Sequence, residues 1–155
     1  TLIYADDSLK KDKEVVLEAV KEHPSAIMDA DDSLMKDKEI VLEAIKEEGA
    51  LFDFADDSLK KDKEVVLEAI KQYGLVLEYA DDSLREDKEF ILEAVKTNGY
   101  ALEYADDSLK KDKEIVLEAV KAIRRDFKDN TNALEIIDDS LKNDPDILAI
   151  VNKKK

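Results

Sequence analysis

The chain has no cysteine and no tryptophan, one histidine, three glycines and two prolines. Each scarcity removes a class of chemistry. Without thiols there is neither a disulfide framework nor a thiolate metal site, a composition that fits a reducing compartment such as the cytoplasm. With His23 as the only imidazole, the usual nucleophilic triads and zinc sites lack their parts. His23 precedes Pro24 and reads as an imidazole facing water. Three scattered glycines leave a phosphate-cradling loop without support. No apolar run approaches the roughly 18 residues of a membrane span, and Thr1-Leu2-Ile3-Tyr4 has neither the basic region nor the apolar stretch of a signal peptide. The first residue is not Met and already lies inside a repeating pattern. A piece of a longer chain is therefore expected, with any export or delivery signal in the missing part.

Positive charge is also short. Forty acidic residues against 25 basic ones give a net charge of −15, the wrong sign for displacing counterions from nucleic acid or for resting on an anionic membrane. Charged residues make up 42% of the chain, which raises the question of disorder. The apolar residues recur in fixed columns, however, and patterned Val, Ile and Leu can offset the ordering entropy.

What the chain has in abundance is repetition. The phrase Ala-Asp-Asp-Ser-Leu, or a close variant, recurs with its Asp pair at Asp6-Asp7, Asp31-Asp32, Asp56-Asp57, Asp81-Asp82 and Asp106-Asp107, always 25 residues apart; a sixth copy at Asp138-Asp139 follows after 32. A fixed period of this length marks stacked supersecondary units that share a core with their neighbours. The expected architecture is all-α, a right-handed α-solenoid of about six two-helix repeats forming a single elongated domain. The repeats run approximately 1–24, 25–49, 50–74, 75–99, 100–131 and 132–155.

Within a repeat, the Asp column Asp12, Asp37, Asp62, Asp87 and Asp112 predicts helix N-caps, and the Glu two residues later suits the positive end of the helix dipole. Gly49, Gly74 and Gly99, with Pro24 in the same column, read as helix stops, the glycines through a left-handed conformation. Val65, Val66, Leu67, Ala69 and Ile70 make this second helix apolar on more than one face, so it must be sandwiched. The column Ala19, Ala44, Ala69, Ala94, Ala119 stays small, as a close helix crossing requires. A short first helix is expected near Leu51–Ala55, Leu75–Ala80 and Tyr100–Ala105. An Asp- or Ser-capped turn should then carry the Leu column (Leu9, Leu34, Leu59, Leu84, Leu109, Leu141) into the core. In the fifth repeat Ala122–Lys128 replaces the stop and predicts about two extra helical turns before Asn130-Thr131-Asn132. Pro145 after Asp144 predicts a last helix start.

The columns read at Leu77–Gly99 and Leu102–Lys121, Tyr-Ala, then Leu, then Asp, then Leu-x-Ala, resemble the tandem repeats of the domain of unknown function 4116 family. The resemblance covers essentially the whole chain. It departs at Met28-Asp29, where the aromatic is missing, and across residues 122–132. The family implies helical repeats and no particular activity.

Candidate chemistry is sparse. Asp56-Asp57-Ser58-Leu59-Lys60-Lys61-Asp62 places Leu and two lysines where a calcium loop needs oxygen ligands, and no glycine supplies the sharp turn. No metal and no cofactor are expected. Carboxylates are everywhere and none is singled out for acid–base work, so no enzymatic activity is expected. The Asp pairs, Asp56, Asp57, Asp81 and Asp82 among them, read as capping and solvating residues that also form an acidic ridge for a basic protein partner. Tyr4, Phe54, Tyr79 and Tyr104 share a column beside the apolar Ala and are expected in the core. Tyr73 and Tyr100 lie off that column, and are the expected partner contacts. The function expected from these features is a protein-interaction scaffold, with a structural spacer between flanking domains as the alternative.

Overall fold

A computed structural model describes residues 2–126 and 133–152. Among these residues every regular element is helical, and helix pairs recur with the sequence period. None of these helices is long and apolar enough to cross a membrane. The chain divides into two compact units, residues 1–81 and 82–155.

In the first unit, α1 (Asp7–Lys10) is a single turn, and α2 (Lys13–Glu22), α3 (Lys38–Glu47) and α4 (Lys63–Gln72) are the long elements. Each long helix starts immediately after an Asp of the predicted column. Asp62, for instance, has extended backbone and accepts the amides of Glu64 and Val65 at 3.0 and 3.3 Å. Consecutive long helices pack together, α2 on α3 and α3 on α4. The helix is sandwiched as its composition requires: Val65, Val66, Ala69 and Ile70 are wholly buried, whereas Leu67 is half-buried.

In the first five repeats the first helix is a 3-10 helix rather than an α-helix, and in the sixth the described residues from Ala133 to Ile137 form a turn. Pro24–Asp29 lies against α2 and α3, Gly49–Phe54 against α3 and α4, and Gly74–Tyr79 against α4 and the Gly49–Phe54 helix. With three residues per turn, every third side chain falls on one line. Gly49, Phe52 and Ala55 form such a line and are buried, as are Gly74, Leu77 and Ala80.

The glycines correct the sequence reading. None has positive φ, so they do not end helices through a left-handed residue. Gly49 instead opens a 3-10 helix where the following repeat comes too close for a side chain. A Cβ there would lie 2.7 Å from Gln72 Cβ and 3.0 Å from the Ala69 carbonyl oxygen. The preceding helix ends at Glu48, whose amide donates to the Ala44 carbonyl at 3.2 Å.

The second unit contains α5 (Asp82–Arg85), α6 (Lys88–Thr97), α7 (Asp107–Lys110), α8 (Lys113–Asp126) and α9 (Pro145–Val151), with a 3-10 helix at Gly99–Tyr104 against both α6 and α8. A Cβ on Gly99 would run into the Ala119 carbonyl and Ile123. Helix α8 outruns the other long helices by one turn within the described residues; the remainder of the predicted extension, Phe127 and Lys128, and the restart at Asn130-Thr131-Asn132 lie outside them. That turn has a structural use. Arg125 donates to the Lys96 carbonyl at 3.2 Å, and Arg124 donates to the Ile150 carbonyl, so two guanidinium groups meet the C-terminal ends of α6 and α9, where the helix dipole favours positive charge. Helix α9 begins at Pro145 after its Asp144 cap, as expected.

The Leu column is not a uniform anchor. Leu59 and Leu84 are buried, Leu34, Leu109 and Leu141 are half-buried, and Leu9 is 44% exposed. The turn that carries the column is short, an isolated α-turn in some repeats and 3-10 or plain turn in others, so nothing like a full helix fixes its depth.

Candidate functional site

Each Asp-Asp-Ser phrase divides its two carboxylates between structure and solvent. The first Asp closes a turn on the Ser: Asp56 accepts the Ser58 hydroxyl at 2.6 Å and the Ser58 amide at 3.0 Å. Those two donors, hydroxyl first, hold the Asp56 carboxyl below the ordinary carboxylate range. Its own backbone amide is also engaged. Asp31, Asp56 and Asp81 donate to the carbonyls of Lys10, Met35 and Lys60, each at 3.0 Å, and Asp106 donates to Arg85 in the same way. The second to fifth phrases are thus each tied to the one before.

The second Asp faces water. In the first unit, Asp7, Asp32 and Asp57 are exposed and make no ion pair. In the second unit the corresponding residues find a cation one turn on, Asp82 with Arg85, Asp107 with Lys110 at 3.3 Å and Asp139 with Lys142 at 2.7 Å. Of the four predicted ridge residues, then, Asp57 is the open one. Asp56 is half-buried in its turn, Asp81 pairs with Lys61 at 3.5 Å, and Asp82 pairs with Arg85.

The aromatic column faces outward, contrary to expectation. Tyr4 is 92% exposed, Phe54 45% and Tyr79 41%, and Tyr104 is half-buried. The aromatic is the last residue of its 3-10 helix, one turn beyond Leu51 or Val76, which share its line and are buried, so the exposure belongs to the helix end. In repeat two the column holds Asp29, which is half-buried. Of the two expected contact residues, Tyr73 is half-exposed at the end of α4, where its amide caps the Ala69 carbonyl at 3.0 Å. Tyr100 is half-buried, with its amide on the Asn98 side chain at 3.2 Å.

The second unit carries an open polar groove of about 320 Å³ whose lining includes Arg85, Glu86, Glu103, Tyr104, Asp107 and Lys110. Its carboxylates outnumber its cations, so its field favours a positively charged group. Among the described residues no three His, Asp or Glu side chains converge as a metal ion would require.

A family model described as a domain of unknown function, DUF4116, matches three tandem segments, residues 1–35, 37–85 and 87–126. The chain belongs to this family. The middle segment spans close to two of the 25-residue periods. No curated protein and no solved structure matches the chain.

A further set of DUF4116 residues escaped the sequence reading. Lys13 bridges Asp37 at 2.8 Å and Glu39 at 2.9 Å, and Lys38 bridges Asp62 at 2.8 Å and Glu64 at 2.7 Å. In the second unit Lys88 holds Asp112 and Glu114, and Lys113 holds Asp144 and Asp146, at 2.6–3.2 Å. Each lysine is the first residue of its helix, where the dipole disfavours positive charge. It is retained there because its ammonium reaches the N-cap and the N2 acid of the next helix. Burial pushes the Asp62 carboxyl up, but Lys38 and the Val65 and Glu64 amides outweigh it and hold the group below its ordinary range. The signal was present in the recurring Asp-Lys-Glu triplet, but pairing across 24 and 26 residues, or 31 and 33 at the last step, becomes visible only once the helices are placed.

Proposed function

We propose that the chain is a protein-interaction scaffold of the α-solenoid kind, using its repeats to present one face to a basic protein partner. The observation that carries this reading is the outward aromatic column. Large apolar side chains held in solvent at the repeat interval, over a core that is complete without them, are the mark of a contact surface. A spacer has no use for such a column, since a charged exterior serves a rod better. No catalytic role is assigned, because the carboxylates that are individually shifted are each accounted for by a cap, a turn or an ion pair.

The test is affinity capture from an extract of the source cell using the chain, the variant Phe54→Ser with Tyr79→Ser, and a charge-matched control protein. Proteins retained by the chain, lost from the variant and released by salt support the scaffold. Retention equal to the control would favour the spacer.

A further inference from the structure

We propose that the face of α2 carrying Asp12, Glu14, Val15 and Ala19 is a docking joint for a DUF4116-type helix pair of a partner protein, one whose long helix begins with lysine. The inference rests on the scaffold reading only in giving that helix pair to a partner. The lysine ladder has an unfilled first rung. Asp37 with Glu39, Asp62 with Glu64, Asp112 with Glu114 and Asp144 with Asp146 each hold the first lysine of another helix. Asp12 caps α2 in the same way, accepting the Glu14 amide at 3.0 Å, yet neither it nor Glu14 holds a cation. Lys10 is no substitute. Lys60 stands toward Asp62 and Glu64 as Lys10 does toward Asp12 and Glu14, and there the rung is still taken by Lys38.

Packing is open at the same place. Val15 and Ala19, one turn apart on α2, are half-buried. Their counterparts Ile40, Val65, Phe90 and Ile115 are at most 1% exposed, and Ala44, Ala69, Ala94 and Ala119 are wholly buried. Val16 and Val20 are wholly buried too, so the openness belongs to one face of α2 and not to the whole helix. The backbone agrees. Asp31, Asp56, Asp81 and Asp106 are half-buried with their amides on a carbonyl of the earlier phrase, whereas Asp6 is exposed and its amide has no such carbonyl among the described residues. Charge, burial and hydrogen bonding are thus all unfinished at one joint, in columns that the other repeats complete.

Those columns select the occupant. Asp12, Glu14, Val15 and Ala19 repeat Asp37, Glu39, Ile40 and Ala44, so the surface that fits them is the one α2 offers to α3. It is a capped helix with lysine first, whose ammonium settles between two carboxylates while the small Ala19 lets the helices approach closely. A second copy joined end to end does not supply it. Helix α9 has Pro145 in the lysine's place, and Asn152 stands in the column of the buried Val20, Ile45, Ile70, Val95 and Val120. An extended basic segment would answer the carboxylates and leave Val15 and Ala19 uncovered.

The probe is a labelled peptide of residues 26–50, which contains Lys38, added to the full chain and read by fluorescence anisotropy and by the melting temperature of the chain. It is expected to bind and to raise that temperature. The peptide with Lys38→Gln should bind about two- to fivefold more weakly. The chain variant Val15→Ser with Ala19→Gln should weaken the unaltered peptide by about tenfold or more while melting close to the parent, since nothing in the chain completes the burial of that face. Because the peptide folds only as it docks, a second protein carries a copy of residues 26–50 joined in register ahead of Thr1, which supplies the segment at high effective concentration. Its urea midpoint should exceed that of the chain, and Lys38→Gln within the copy should take back part of the rise. An unchanged midpoint, or a rise indifferent to that lysine, would overturn the joint. Stabilisation by the fusion with no binding of the peptide would overturn the assignment to a partner and give the helix pair to the same polypeptide. A dimer in sedimentation that Ala19→Gln abolishes would overturn it in favour of a second copy. The scaffold reading is judged separately by the extract capture, whose variant alters Phe54 and Tyr79 and leaves this face intact.

Discussion

Gly49 and Gly99 are small because a neighbouring helix backbone occupies the space a methyl group would need. Gly49→Ala is expected to cost about 1–3 kcal/mol by overpacking, read from urea unfolding. Gly49→Asn separates this cause from a conformational one. Asn is tolerated at a left-handed helix end, whereas here, being larger than Ala, it should be at least as damaging. Leu59→Ala, which empties a buried site, should cost about 2–5 kcal/mol. The equivalent Leu9→Ala, at a position 44% exposed, should cost far less. Residue identity foretold the wholly buried positions of α4 and the small Ala column, because a helical period of 3.6 was assumed and was correct there. It misplaced Phe54 and Tyr79 because a place beside the apolar Ala column was read as burial, whereas neighbouring side chains in a 3-10 helix point about 120° apart. The spacing Gly-x-x-(Phe/Leu)-x-x-Ala was the overlooked sign of a threefold period.

At the element scale, the caps and the ladder share the same carboxylates and can be separated by substitution. Asp62→Ala removes the cap of α4 and should cost about 0.5–2 kcal/mol. Asp62→Asn keeps a competent cap and loses only the charge partner of Lys38, a half-exposed surface pair of the kind worth about 0–1 kcal/mol. The alanine variant should therefore have the lower urea midpoint.

Proton linkage works in two directions. Asp37, Asp62, Asp112 and Asp144 are depressed in the folded chain. Their contribution is present above the ordinary carboxylate value of about 4 and is lost as pH falls through the lower folded value. Lys13, Lys38, Lys88 and Lys113 are raised by hydrogen bonds to the same acids. Their contribution is complete below about 10.4 and is lost as pH rises through the higher folded value. Urea midpoints measured across pH should therefore fall at both the acid and the alkaline end. Helix starts were legible because a cap is local, set within three residues of sequence. The ladder was not, because it depends on which helix ends stand side by side.

For the whole molecule, tandem helical repetition was legible from the period alone, and family membership followed from the same columns. The surface was harder to read, since exposure depends on the angular position of each side chain around a helix whose type the sequence left open. Removal of residues 25–49, one whole period, should leave a helical chain that still melts in a single transition, because Lys13 would then face Asp62 and Glu64 in place of Asp37 and Glu39. Loss of far-UV helicity per residue would show that the joints are not equivalent. Millimolar calcium should leave the melting temperature of the intact chain unchanged, as only a ligand that prefers the folded state can raise it.

The link from each first-Asp amide to a carbonyl 21 residues earlier also bears on how such a gene changes length. Donor and acceptor are supplied by the same cassette, so recombination that adds or removes a whole cassette regenerates an identical seam on both sides of the crossover. A fractional insertion does not. The last interval exceeds the others by seven residues, and within the described residues α8 takes up four of them as one further turn. Copy number is therefore free to drift in steps of 25, whereas a change of any other length has to be absorbed inside a single repeat.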